Sequence, residues 1–385
     1  MAIQSYKVYY GKQSVGLTEL TNVQSINFTV GRRNILDQYN ASTATVVMRY
    51  PTGYASPIAA LIPGTPIQIK NAATGYRIFF GTINDAQVNY GMPYSGGVGN
   101  ADYLTLTVVG GLAEWGRRST TSQAYVANTA GGQLYDVYTT TGLQAEYFSN
   151  SPTGDPLVSA TTVSTNYGDY INELAITRNS RIDDIRTTSG SVFSIDTPTP
   201  AIIDPYLTWF LDVAMSDTLN NTTNQVYDKI EFASLSENYY TQVIVRPEAV
   251  ATQTTQTGLA PYRTYSVNTL SASTTDALGY AEMLLNLFSS PAVQITSISC
   301  LANAQNTYQL DRLNLPGYSA IDLVGSTLTI GFRGATYTAI IEGYTFSATP
   351  NEARYTYHLS TTNYGAFLSL GNTITGRLDY GRLGY

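Results

Sequence analysis

Apolar and polar residues alternate at period two through most of this chain, the mark of half-buried antiparallel strands. Val23 to Val30 alternates, Gly31-Arg32-Arg33-Asn34 turns, and Ser42 to Tyr50 runs as a strand until Pro51. Ile67-Gln68-Ile69-Lys70 then leads through Asn71 to Gly75 into Tyr76-Arg77-Ile78-Phe79-Phe80-Gly81, and Tyr103-Leu104-Thr105-Leu106-Thr107-Val108 closes the set. A second set has the same punctuation. Leu328-Thr329-Ile330 leads through Arg333-Gly334 into Tyr337 to Gly343, and Tyr355-Thr356-Tyr357-His358-Leu359 comes last. Antiparallel sheets share this alternation, so the likeness admits coincidence as well as duplication of one β-unit.

Between the two sets the period changes. Asp169 to Ile185 predicts a helix with Tyr170, Ile171, Leu174, Ile176, Ile182 and Ile185 on its apolar face and Asn179-Ser180 as the place where it bends or ends. Thr274 to Phe288 predicts another, with Ala277, Ala281, Leu284 and Phe288 on one face and Leu278 and Leu285 widening it. Ser273 followed by Asp276 resembles a capping box, and Pro291 stops the helix. Strands are expected at Gly190 to Ile195, Ile230 to Phe232, Thr241 to Val245 and Val293 to Ser299. The stretch from Ile202 to Thr223 reads as either helix or loop. Pro57 to Pro66 reads as a short helical or looped crossing, and Gly91 to Asn100 as a glycine-rich hairpin tip. Ser/Thr/Gly-rich passages at Ser119 to Gly132 and Ser149 to Ser164 mark boundaries, the second separating short segments.

The fold class expected is mainly β (α+β): two similar antiparallel β-barrel domains flanking a smaller α/β middle region with two helices. The expected divisions are 1–118, 119–300 and 301–374, with a C-terminal arm at 375–385. That arm repeats a motif in tandem, Gly376-Arg377-Leu378-Asp379-Tyr380 and Gly381-Arg382-Leu383-Gly384-Tyr385. It reads as a frayed end or as an arm that docks on a neighbouring subunit.

Composition narrows the function. A chain of 385 residues has room for two or three cores. Charged residues are 12%, about half the roughly 25% usual in globular proteins, beside 32 Tyr and 11 Phe. Tyrosine offers apolar area with a hydroxyl that can stay satisfied when desolvated, so its abundance suits surfaces covered by partners, although β content accounts for part of it. The net charge of −7, with no basic cluster larger than Arg32-Arg33 or Arg117-Arg118, argues against a protein that grips phosphates. Any encounter with DNA is passage. Cys300 is the single cysteine, so no intramolecular disulfide forms, and its place between Ile298 and Leu301 reads as core filler. The N-terminus Met1-Ala2-Ile3-Gln4-Ser5 has neither a basic region nor an apolar run, and no stretch reaches the ~18 apolar residues of a membrane span. Synthesis in a cytoplasm, without export by an ordinary signal, is the expectation.

Catalytic constellations are missing from the sequence. One histidine, His358, excludes the common acid/base and zinc sets, and it falls on the polar side of its strand as a surface or interface residue. Asp183-Asp184 reads as a solvated pair on the Asp169 to Ile185 helix. Gly96-Gly97-Val98-Gly99 lacks the helix that a phosphate-cradling loop needs. No catalytic, cofactor-binding or metal-binding residue is assigned, and no enzyme activity is expected.

The order of elements in the middle region, Asn166-Tyr167-Gly168-Asp169-Tyr170 into a helix, Ser189 to Ile195, Val243-Ile244-Val245 and Thr274 to Ala281 with its helix and Pro291, resembles the minor tail or tail-tip hub proteins of long-tailed (siphovirus-like) bacteriophages. So does the ending, in which Gly325-Ser326-Thr327-Leu328 opens a strand and Ile341-Glu342-Gly343-Tyr344 precedes Tyr355 to Ser360. The resemblance runs from about Val23 to Ser360 and rests on pattern and order. It implies a structural virion component at the tail tip, a homotrimer whose two barrels per chain present six near-equivalent units to a sixfold tail tube. Its implied partners are the tail tube and distal tail proteins, tail-tip fibre or plug proteins, and DNA in passage, without membrane insertion. Beyond the second barrel only the tandem arm follows, which gives no basis for a peptidase, lysin or fibre domain. Two other readings stay open: a carbohydrate-binding or adhesin module with tyrosines as sugar platforms, and a distal tail ring of a related tail machine.

Overall fold

Period-two alternation becomes one large sheet, because each apolar face finds another against which to exclude water. The computed structural model describes residues 6–50, 59–72, 75, 77–90, 102–120, 122–141, 155–164, 166–183, 201–203, 212–216, 225–234, 239–289, 293–303, 324–325 and 327–361. The expected strand at Gly190 to Ile195, the tip at Gly91 to Asn100 and the tandem arm lie outside these residues.

The first region contains β1 (Tyr6–Tyr10), β2 (Thr18–Leu20), β3 (Val23–Gly31), β4 (Thr43–Tyr50), β5 (Pro66–Asn71), β6 (Arg77–Asn89) and β7 (Asp102–Val109). Next come α1 (Gly111–Arg117), β8 (Gln123–Tyr125), β9 (Asn128–Thr129), α2 (Ala130–Thr141), β10 (Leu157–Val158), β11 (Thr161–Val163) and α3 (Tyr167–Arg178). Short strands follow as β12 (Arg181–Asp183), β13 (Ala201–Ile203), β14 (Asp212–Ser216), β15 (Gln225–Val226) and β16 (Lys229–Ser234). Then come β17 (Gln242–Pro247), β18 (Gln253–Gln256), β19 (Thr264–Thr269) and α4 (Thr274–Phe288). The last are β20 (Val293–Asn303), β21 (Thr327–Phe332), β22 (Ala335–Ala348) and β23 (Glu352–Thr361).

Two five-strand units share one topology. In space the first runs β3-β4-β7-β6-β5 and the second β16-β20-β23-β22-β21, and in each the last strand of the chain inserts between the second and the fourth. The correspondence extends to single residues. Gly64 at φ +86 donates its N–H to Ile83 O at 2.8 Å, and Gly325 at φ +89 donates to Ile341 O at 2.6 Å. The long strand bulges one residue further on in both, at Asn84 in β6 and at Glu342 in β22. The first strands align as Ile26-Asn27-Phe28 and Ile230-Glu231-Phe232, since Ile26 faces Val46 and Ile230 faces Ile298 at matching places in their ladders. At the equivalent ends, Gly75 donates its N–H to Asn71 O at 2.9 Å in the first unit, and Arg333-Gly334 joins β21 to β22 in the second. Arg333 and Gly334 both have positive φ, as a two-residue hairpin that matches strand twist requires.

The mainly β class is as expected, and the two like units are continuous with each other. Past its bulge β22 leaves β21 and pairs with β3, Gly343 opposite Gly31 through Ala348 opposite Ile26, which joins both units into a single 14-stranded sheet that, among the described residues, does not close into a barrel. The second unit takes its first two strands from β16 and β20.

Among the described residues there are four helices, where two were expected. Glycine-rich sequence hides α2, yet Ala130, Leu134, Val137 and Tyr138 form its buried stripe, and Trp115 of α1 packs edge-on against Tyr138. The helix expected over Asp169 to Ile185 ends at Arg178. Asn179 turns left-handed at φ 55 and returns its N–H to Ala175 and Ile176. Asp183 therefore lies on strand β12, not on a helix, and Asp184 is outside the described residues. Of the Ile202 to Thr223 stretch, the described residues include strands β13 and β14. The helix from Thr274 to Phe288 is as expected, and Ser273 Oγ accepts the Asp276 N–H at 3.2 Å. This helix packs Ala277, Ala281, Leu284, Leu285 and Phe288 over Val243 and Val245 of β17, in a small core of its own beside the main one.

Candidate functional site

The junction where the two units meet is built on a buried carboxylate. Glu342, the extra residue at the β22 bulge, is fully buried. Its oxygens accept from Arg32 Nε at 2.8 Å and from Arg181 NH2 at 3.1 Å. Arg32 follows β3 and Arg181 opens β12, so one side chain ties together the first unit, the middle region and the second unit. Arg32 also donates to Asp37 O at 3.2 Å, and its guanidinium lies 4.5 Å from the centre of the Tyr39 ring. Burial works to raise the Glu342 carboxyl, but the two guanidinium charges and their hydrogen bonds outweigh it and hold it below the usual carboxylate range.

Glycine lets the backbones approach there. A Cβ on Gly31 would stand 2.4 Å from Glu342 O, and one on Gly343 would stand 2.5 Å from both Val30 O and Arg32 O. The Arg32 N–H closes the crossing by donating to Glu342 O at 3.0 Å. A second buried pair braces the helical region. Arg178 Nε lies 2.8 Å from Asp155 Oδ1, while Asp155 Oδ2 accepts the Gly131 N–H at the positive end of α2. Neither buried pair was legible as a site in the sequence, because its members are distant along the chain.

The sheet running β16-β20-β23-β22-β3-β4-β7-β6 has two contrasting faces. One is apolar: Ile298, Tyr357, Tyr355, Tyr344, Phe346, Phe28, Val46, Leu106 and Ile83 all lie at 5% exposure or less. Aromatic rings pack there, Phe346 tilted against Tyr355 at 4.6 Å and Tyr355 stacked on Tyr357 at 6.1 Å. Several tyrosines that composition suggested for partner surfaces thus fill the core, consistent with β content as part of their excess.

The opposite face carries Ser297, Ser299, Thr356, Thr345, Ser347, Asn27, Thr29, Thr45, Thr105, Thr107 and Gln87. Facing pairs in the ladders place these residues on one side. A shallow depression of about 260 Å³ opens on this face between Asn27, Thr45, Ser347 and Arg354. Its charges are mostly neutralised by neighbours: Arg354 NH1 lies 2.7 Å from Asp228, and Lys229 contacts Glu231. His358 is on this polar side opposite Ser297, as the alternation predicts, and burial and the nearby Arg33 lower its pKa. Cys300 is buried in the core 4.0 Å from the Met215 sulfur, with its thiol pushed up by burial. Among the described residues no group of three or more His, Cys, Asp or Glu could hold a metal ion, and no helix is long and apolar enough to cross a membrane.

No protein-family model matches this sequence, and no curated protein does. Solved structures do match in fold. The 43 kDa tail protein of prophage MuSo2 from Shewanella oneidensis superposes with a TM-score of 0.59 at 10% identity, over 92% of this chain and 98% of that one. A tail protein from Neisseria meningitidis gives a TM-score of 0.60 at 9% identity, over 94% and 98%. An E. coli component of the type VI secretion system, described as structurally similar to the T4 bacteriophage tail proteins gp27 and gp5, gives 0.53 at 9% identity, over 93% and 78%. The resemblance to tail proteins seen in the sequence is met by these structures, and over nearly its whole length this chain has the fold of phage and prophage tail proteins.

Proposed function

We propose that this chain is a structural subunit of the virion, a minor tail or hub protein at the tail tip of a long-tailed (siphovirus-like) bacteriophage, which assembles as a homotrimeric ring. The observation that carries the reading is the repetition of one five-strand unit side by side in a single chain. Two like units per chain let three subunits offer six similar bonding faces to a sixfold tail tube, and a head-to-tail interface whose rotation closes makes a ring. The fold shared with tail proteins supports the same assignment.

The polar face supports a channel role. Hydroxyl and amide side chains present hydrogen-bonding groups without the rows of Lys and Arg that hold phosphates by displacing counterions, so DNA can pass without being gripped. The partners that fit are the tail tube, distal tail proteins and a fibre or plug at the tip. A first β unit (1–118), a middle region (119–300) that lends β16 and β20 to the second β unit, the rest of that unit (301–374) and a terminal arm (375–385) belong to the same proposal. The chain acts by bonding and enclosing rather than by catalysis.

Native mass measurement of the purified chain tests it. A trimer is expected, and a strictly monomeric particle, both alone and with tail components, overturns the reading.

A further inference from the structure

The two units differ in what joins their first two strands. In the first unit the short stretch from Arg32 to Ser42 links β3 to β4, whereas the equivalent link in the second unit, between β16 and β20, contains β17, β18, β19 and α4 with a core of their own. The short link lies against the long one. Ile35 and Leu36 pack on the core that Val243, Val245, Ala281 and Leu284 help to form. Hydrogen bonds shape the loop that presents them: the Leu36 N–H donates to Asn34 Oδ1 at 2.8 Å, and Arg32 donates to Asp37 O at 3.2 Å.

A second segment holds the same module. At the turn that ends α3, Thr177 Oγ1 accepts the Leu270 N–H just past β19 at 2.9 Å, and Asn179 Nδ2 lies 3.5 Å from the Met283 sulfur on α4. Two residues further on, Arg181 reaches Glu342 at 3.1 Å, and Arg32, at the root of the loop, reaches the same carboxylate at 2.8 Å. Both grips on the module therefore end on one side chain.

Stability alone gives little reason for such a site, because a carboxylate buried between guanidinium groups is often no better than apolar side chains of similar volume. What it adds is a joint among segments far apart in the chain. We infer that Glu342 locks a two-jawed clasp, formed by the Arg32–Tyr39 loop and the Thr177–Arg181 turn, on the module of β17, β18, β19 and α4, and so couples that module to the seam between the two units. A partner that binds or pulls the module then acts on the crossing of β22 and β3, and by reciprocity a loosened crossing frees the module. The clasp belongs to a single chain and does not depend on the ring proposed above.

Hydrogen–deuterium exchange on the intact chain, read by mass spectrometry, tests it. Glu342→Gln keeps the side-chain volume but removes the charge that both jaws share. Exchange at α4 and β17 is expected to quicken roughly tenfold, while β7, which lies between β4 and β6, keeps the wild-type rate. A second variant approaches from the other end. Leu284→Ala hollows the module's own core, and it is expected to quicken exchange at the β22 bulge and at the Arg32 amide, which donates to Glu342 O, again without change in β7. An α4 that exchanges at the wild-type rate in Glu342→Gln, or a β7 that quickens as much as α4, overturns the clasp. So does a seam indifferent to Leu284→Ala, and that variant decides alone if Glu342→Gln does not fold.

Discussion

The bulge of β22 and the bulge of β6 occupy the same place in the same topology, yet one is sealed by β3 and the other, among the described residues, has no strand beyond it. Glu342 is buried between two arginines with Gly343 pressed against the β3 backbone, whereas Asn84 is exposed, bonded to Arg117, and followed by Asp85. The residue types fit these surroundings. A carboxylate is tolerated in the interior only where charges and hydrogen bonds satisfy it, and glycine is required only where another backbone comes within van der Waals contact. The same topology thus carries a buried seam in one copy of the unit and, among the described residues, an edge without a second neighbouring strand in the other.

The largest test of this contrast is removal of the two bulge side chains. Glu342→Ala leaves Arg32 and Arg181 buried without their partner and should cost about 3–5 kcal/mol of stability in denaturant unfolding. Asn84→Ala should cost less than about 1 kcal/mol, and equal losses would show that the bulges do not differ as described. Next in size is the close approach. Gly343→Ala forces a Cβ against two carbonyl oxygens and should cost about 1–3 kcal/mol, while Asp85→Ala should stay within about 0.5 kcal/mol.

Acid should expose the seam more gently. Because the Glu342 carboxyl is held below its ordinary value near 4.5, its contribution is complete above that pH and is lost as pH falls through the lower, folded-state value. The thermal midpoint should therefore fall on acidification below about pH 4.5 more steeply in the wild type than in Glu342→Gln, which cannot titrate there. Identical slopes would mean that the seam does not depend on this charge. The smallest effect on stability is expected beyond β6. Tyr90→Lys replaces a side chain 72% exposed just beyond β6 and should shift monomer stability by only about 0.5 kcal/mol. An exposed tyrosine suits a surface covered by a partner, so the same change should reduce the assembled fraction in sedimentation velocity, and an unchanged fraction would sever Tyr90 from assembly.

Much of the sheet was legible because alternation depends only on neighbouring residues. The strands at Val23, Ile67, Tyr103, Leu328 and Tyr355 all appear, and Ser273 caps its helix as the pattern indicated. The helices α1 and α2 were not legible, since one is seven residues long and the other begins at Ala130-Gly131-Gly132, where propensity argues against a helix and tertiary packing decides. The seam was hidden for a different reason: Arg32 and Glu342 are 310 residues apart, and nothing local to either predicts the other. The signals that could have found the second unit's true extent are short. Gly64 and Gly325 each stand two positions before a strand, and Ile26-Asn27-Phe28 echoes Ile230-Glu231-Phe232, but their equivalence becomes visible only through the shared ladders.

The central claim is that two like units in one chain make a threefold assembly present a sixfold outline. Averaged electron-microscope images of the assembled particle viewed down its axis test this most directly. Three subunits arranged with six similar lobes around a central opening are the expected result. A ring with another subunit number, or three subunits whose two lobes lie at unrelated radii, would contradict it.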